Sequence, residues 1–232
     1  RVTAHAIERA LVFCSPMAQY LRPGTAAGAV VRKIVVDLVD VDSDKWRQYA
    51  ASRPWPLSAV YAREARTLLR AEREAAGLAR RTFLVSEREA SLFRTLAPDS
   101  AERVFHFNNG VDCHYFRPWP QASSPYPEDE LPLVFTGAMD YWPNVDAVTW
   151  FAHDVLPLIR ARDSRVAFYV VGSKPSSAVL KLAELPGVTV TGRVEDVRPY
   201  LQFAMAAVAP LRIARGVQNK VLEAMAMARP VL

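Results

Sequence analysis

The sequence has little of several things that would fix its chemistry early. It holds two cysteines in 232 residues, Cys14 and Cys113, which fit neither a disulfide framework nor a zinc spacing; a reducing, cytoplasmic compartment is expected. Histidine is as scarce. His5, His106, His114 and His153 are scattered, and no His/Asp/Cys cluster has metal-ligand spacing, so no metal and no cofactor are expected. No apolar run approaches the ~18 residues of a membrane span. No basic block carries interleaved aromatics, which argues against nucleic acid as a partner. A Gly-x-Gly-x-x-Gly turn is also missing, which weighs against a sugar-nucleotide epimerase.

What is present is ordinary globular composition, 51% hydrophobic and 23% charged. A net charge of +5 and a pI near 9.4 suit a phosphorylated ligand or peripheral contact with an anionic membrane. The chain then alternates strand and helix patterns. Residues 10–15 read as a strand, with Pro16 opening a helix through Met17 and Tyr20. Residues 33–38 read as a strand ending in an acidic cluster at Asp37, Asp40, Asp42 and Asp44. Loops after strands carry ligands in α/β sheets, which makes this cluster a candidate site; Asp42 or Ser43 reads as a helix cap, and Asp40 reads equally as a cap or a site residue. Residues 58–77 predict one long helix ended by Gly77, with Glu64, Arg66, Arg70, Glu72 and Arg73 on a solvated face. Residues 81–86 predict a strand, and Ser86 with Glu89 a capping box. Another strand follows at 104–107, and then the turn signal Asn108-Asn-Gly-Val-Asp112.

Residues 117–130 hold four prolines and several small polar residues, the composition of a linker. Residues 1–116 and 131–232 are expected to be two domains on either side of it. In the second, strands at 131–136, 166–171 and 188–191 alternate with helices at 147–159, 178–185 and 197–203. That order implies a parallel, doubly wound sheet. Each of the three strands ends in glycine (Gly137, Gly172, Gly192), which would let backbone amides approach a ligand. The closing stretch reads as an apolar strand at 206–211, a loop with Arg212, Arg215 and Gly216, a helix containing Val217, Lys220 and Glu223, and a new strand at Pro230. A helix N-terminus beside glycine and two arginines favours a phosphate. Glu223 would be an exposed carboxylate able to accept bonds from sugar hydroxyls.

Together, Asn109-Gly-Val-Asp112, Phe116-Arg-Pro118, Tyr169-Val-Val-Gly172, Val190-Thr-Gly-Arg193 and Lys220-Val-Leu-Glu-Ala-Met-Ala226 resemble group 1 (family 4) GT-B glycosyltransferases over residues 104–232. The pattern from Val36 to Trp46, with Gly137 to Asn144 and Gly216 to Lys220, resembles sugar transferases of bacterial exopolysaccharide loci associated with PEP-CTERM sorting. The resemblance implies two Rossmann-like, doubly wound α/β domains facing a cleft, the first taking most of the acceptor and the second the donor. It also implies a central piece of such an enzyme, with both domains cut.

By the same resemblance Glu223 would hold the donor ribose, the Gly216 and Val217 amides would meet the diphosphate, and Arg193 and Lys220 would supply positive charge or be plain solvated residues. Arg212 and Arg215 would be phosphate clamps or loop charges. Asp40 would be the catalytic candidate, as the polar residue of the first domain near the reacting sugar. Arg215 stands where the family has a second glutamate, and the family's Arg and Lys are replaced within Gly137 to Asn144, where Asn144 is a candidate substitute. The implied function is sugar transfer, with retention, from a nucleotide-diphosphate sugar to a lipid-linked or saccharide acceptor. The alternative is a catalytically incomplete module that binds nucleotide or associates with itself as a homo-oligomer.

Overall fold

The computed structural model describes residues 8–21, 33–212 and 217–232. They form two α/β units, one of 8–109 together with Val217 and the other built from 110–212 and 218–232. In the first, β1 (Arg9–Phe13), β2 (Lys33–Val39), β3 (Arg81–Leu84) and β4 (Val104–His106) lie in sequence order, all parallel. Helices α1 (Asp42–Ala51), α2 (Leu57–Leu78) and α3 (Glu87–Leu96) connect them. One sheet face, through Val36, Leu38 and Leu84, packs on Ala76 and Ala90 and on Phe93 of α3.

The helix expected after Pro16 is present as the 3-10 helix Ser15–Leu21; Cys14 sits in the left-handed region (φ 67) and accepts an i+3 bond from the Met17 amide at 3.2 Å, which starts the tighter winding. Two other local expectations differ. Helix α2 runs past Gly77 to Leu78. Its end is set by the sheet, since the Arg80 amide already donates to the Ile34 carbonyl at 2.8 Å. Neither Asp42 nor Ser43 caps α1, whose cap position is Val41 with no side-chain bond.

The amides at that helix start are met instead by two buried glutamates. The Val41 N–H donates to Glu89 Oε2 at 3.0 Å and the Ser43 N–H to Glu72 Oε1 at 3.0 Å, while the Ser43 hydroxyl donates to Glu72 Oε2 at 2.5 Å. Glu72 and Glu89 are 0% and 2% exposed. Glu72 is therefore not on a solvated face. Only half of the expected capping box forms: Ser86 Oγ accepts from the Glu89 amide at 3.2 Å, but the Glu89 carboxylate turns to Val41. A buried N–H without a partner costs about 1–3 kcal/mol, and a carboxylate suits the positive end of a helix. Burial, only partly offset by the Ser43 bonds, pushes the Glu72 carboxyl up to about 7.

The second unit has the strand order β7-β6-β5-β8, all parallel. Its strands are β5 (Leu131–Thr136), β6 (Val166–Val171), β7 (Val188–Gly192) and β8 (Ala206–Ala207), and Val231 bridges to Ala207 beyond β8. All six residues of β6 are buried, as a strand covered on both faces requires. Leu133, Phe135, Phe168 and Val170 face one core, with Ala147, Val148, Phe151 and Leu156. Val134, Ala167, Tyr169 and Val171 face the other, with Leu201, Ala224 and Met227.

The first helix of this unit begins five residues before its expected start. Pro143 suits the opening turn of α4 (Trp142–Trp150). A π-helical segment, Phe151–Val155, and α5 (Leu156–Arg160) continue it. The wider winding lies just ahead of Pro157, which has no amide to donate. The remaining helices are α6 (Ser177–Lys181), capped by Ser176, α7 (Arg198–Phe203) and α8 (Asn219–Ala226).

The proline-rich stretch 117–130 lies against this second unit. Trp119 and Gln202 exchange two bonds, at 2.7 and 2.9 Å. The buried Tyr126 donates its hydroxyl to the Tyr200 carbonyl at 2.6 Å and stacks edge-on against Tyr169.

Glu72 sets a pH signature. Its folded pKa of about 7 lies above its ordinary 4.5, so its stabilising contribution is full below about 4.5 and is lost as the pH rises through about 7. Urea unfolding of wild type and Glu72→Gln across that window should show wild type losing about 3 kcal/mol relative to the variant. Parallel stability profiles would contradict the assignment.

Candidate functional site

The strand order of the second unit reverses at β5. From β5 the chain steps outward to β6 and β7, then returns to the other side of β5 for β8. In such sheets ligands bind outside the carboxyl ends of the strands on either side of the reversal. Gly137 follows β5 directly, and α8 is the helix after β8, so both elements belong to this crevice.

Three predicted residues converge there. The buried Asn144, on the first turn of α4, donates from Nδ2 to the Ala138 carbonyl at 2.9 Å. Its Oδ1 accepts from Lys220 Nζ, on the first turn of α8, at 2.7 Å. A Cβ placed on Gly137 would stand 2.8 Å from Asn144 Nδ2 and 3.3 Å from Lys220 Nζ. Lys220 Nζ also lies 3.8 Å from the centroid of the Phe135 ring. Burial lowers the Lys220 ammonium to about 8, against an opposing pull from Glu223.

Glu223, one helical turn further along α8, is half-buried rather than exposed. Burial raises its carboxyl, and Lys220 partly offsets the rise. A cation and a carboxylate with softened charges thus share one face of α8, beside a helix start that bears no side-chain cap. Such a surface can meet an anion and a hydroxyl group side by side.

Other expected residues stand apart from this group. Arg212 is exposed and forms a two-pronged ion pair with Asp146 of α4, with Nε to Oδ2 at 3.0 Å. A phosphate would have to compete with that carboxylate. Arg193 is exposed just after β7, two strands away from β5. Asp40 follows β2 in the first unit, after Val39, which has a left-handed φ of 68. Val217 is half-buried just ahead of α8. Arg215 and Gly216 lie outside the described residues.

The glycine expectation needs correction. The Gly137 amide donates to the Val171 carbonyl and the Gly172 amide to the Gly192 carbonyl, both at 3.1 Å, so both are engaged with neighbouring strands. Gly172 is required for a different reason: a Cβ there would lie 1.6 Å from the Gly137 carbonyl oxygen. Sequence reasoning missed Asp146 and the Ala138 carbonyl. The only trace of the former is its position two residues after Asn144 on the same helix.

Residues 130–232, which contain the entire second sheet, match the family model Glycosyl transferases group 1. No curated protein matches the sequence. Among solved structures, WaaG, a glycosyltransferase involved in lipopolysaccharide biosynthesis, is 17% identical with a TM-score of 0.67, over 99% of this chain and 60% of its own. HepE from Anabaena, in complex with UDP and glucose, is 16% identical with a TM-score of 0.64, over 95% of this chain and 58% of its own. A UDP-forming α,α-trehalose-phosphate synthase from Burkholderia xenovorans, in complex with glucose-6-phosphate, is 11% identical with a TM-score of 0.62, over 96% and 56%. The chain thus spans about three fifths of the length of these proteins. Its fold class is that of GT-B glycosyltransferases, with two α/β units built on parallel sheets.

Two substitutions of opposite sign test the backbone geometry of the second unit. Gly172→Ala should destabilise the second unit by about 3 kcal/mol or more, because the obstacle is backbone. Ala228 occupies the left-handed position (φ 55) closing α8, with the Arg229 amide bonded to the Ala224 carbonyl at 3.0 Å and its own amide to Met225 at 2.9 Å. Ala228→Gly should stabilise by about 0.5–1 kcal/mol. Urea midpoints moving the other way would refute either assignment.

Proposed function

We propose that the second unit binds the nucleotide diphosphate of a sugar donor at the β5/β8 crevice, and that the protein containing it transfers the sugar to a lipid-linked or saccharide acceptor. The observation carrying this reading is the Asn144–Lys220 pair, which holds a half-buried ammonium at the start of α8, at the switch point of the sheet. In this reading Lys220 faces the diphosphate and balances charge on the leaving nucleotide. The start of α8 adds backbone donors, and Glu223 accepts from the ribose hydroxyls. Asn144 keeps Lys220 in place. Arg212, Arg215 and Arg193 are further candidates from the sequence for charge toward the phosphates, and Asp40 is the catalytic candidate of the first unit.

Support comes from the family match over this unit and from fold relatives crystallised with UDP or UDP-glucose. A retaining reaction within exopolysaccharide synthesis is the specific form we favour, resting on the sequence pattern from Val36 to Trp46 and from Gly137 to Asn144.

Calorimetry with UDP and GDP reads the donor site directly, and donor hydrolysis separately reports turnover. A nucleoside diphosphate should bind, and binding should weaken as the pH rises through about 8, where the free Lys220 loses its proton. Lys220→Met should lower affinity about 10-fold to 100-fold and abolish that pH dependence. An affinity that ignores both the substitution and the pH would sink the assignment.

A further inference from the structure

A cavity of about 460 Å³ opens on the flank of the second unit, between residues 114–121 and the start of α7. It shares no residue with the Asn144–Lys220 group. Contacts within the unit fix its walls. The Gln202 side chain bonds both the amide and the carbonyl of Trp119. The Asp112 carboxylate accepts from the His114 and Tyr115 amides at 2.9 and 3.1 Å, and Tyr115 packs edge-on against Phe116. Asp196 Oδ2 accepts from Nε and Nη2 of Arg198 at 2.9 and 2.6 Å. The guanidinium so held lies 4.1 Å from the centroid of the Tyr115 ring and 5.5 Å from that of Trp119. A cavity of this size with preset walls suits a small molecule.

The lining names the class of ligand. Trp119 is 41% exposed, which leaves electron-rich ring surface for the C–H face of a sugar. His114 and Gln121, both exposed, bring ring nitrogens and a carboxamide, groups that donate to and accept from hydroxyls. Arg117 is exposed and, among the described residues, stands in no ion pair. The acidic side chains nearby are engaged elsewhere, Asp112 with the amides of its own loop and Asp196 with Arg198. The exposed Glu195 stands outside the lining, and among the described residues no carboxylate lines the cavity. A guanidinium without a partner matches the paired oxygens of an acidic group. A bare phosphate ion would use that cation and leave the indole and the carboxamide idle.

We infer that this cavity binds an anionic saccharide, with a sugar ring on Trp119 and its acidic group on Arg117. The inference does not depend on the donor-site reading. Calorimetry of the whole chain with a galacturonic acid trisaccharide, its neutral methyl ester and inorganic phosphate tests it. The acid should bind about tenfold more tightly than the ester. Trp119→Ala should lower the affinity for both sugars about tenfold. Arg117→Gln should remove the preference for the acid. Gln202 bonds only the backbone of Trp119, so these changes leave the walls in place and circular dichroism spectra should be unchanged. Failure of the trisaccharide to bind, or binding indifferent to both substitutions, overturns the proposal. So does phosphate that displaces the acid and binds Trp119→Ala as well as wild type, since the cavity would then hold an anion alone.

Discussion

The carboxamide of Asn144 holds together three segments that are distant along the chain: the loop after β5, the first turn of α4 and the first turn of α8. Each of its two functional atoms has one partner, and the group is buried. Loss of either bond would leave a buried polar atom without its protein partner. This constraint keeps an ammonium where the sheet reverses direction, and burial keeps that ammonium near the point of losing its charge.

The sheet makes the same arrangement necessary from below. Gly172 passes so close to the Gly137 carbonyl that no side chain fits, and the amides of both glycines continue the bonding between strand ends. The floor of the crevice is rigid backbone. The chemistry is left to side chains from α4 and α8 and to the start of α8.

The second unit was the more legible in sequence because its strands are short apolar runs closed by glycine. The expected 131–136 and 166–171 are the observed β5 and β6 to the residue. Gly137, Asn144 and Lys220 were readable as candidates, but not their bonding, since nothing in a linear pattern says that positions 76 residues apart share a bond. Polar groups that satisfy distant backbone were misread for the same reason. Glu72 looks like an ordinary helix-surface charge and Glu89 like the second half of a capping box, yet both carboxylates close the start of α1. The proline-rich stretch 117–130 has the composition of a linker, but Trp119 and Tyr126 fix it to the second unit through Gln202 and Tyr200.

The two units divide the labour of the account differently. In the first, buried carboxylates serve the fold. In the second, a cation and a carboxylate retained at a strand reversal are available to a ligand. The most direct test of the central claim is a crystal structure of the chain with UDP. Diphosphate density within hydrogen-bonding reach of Lys220 Nζ, with the ribose against Glu223, is the predicted result. Well-defined nucleotide seated elsewhere, with the Asn144–Lys220 pair untouched, would contradict it.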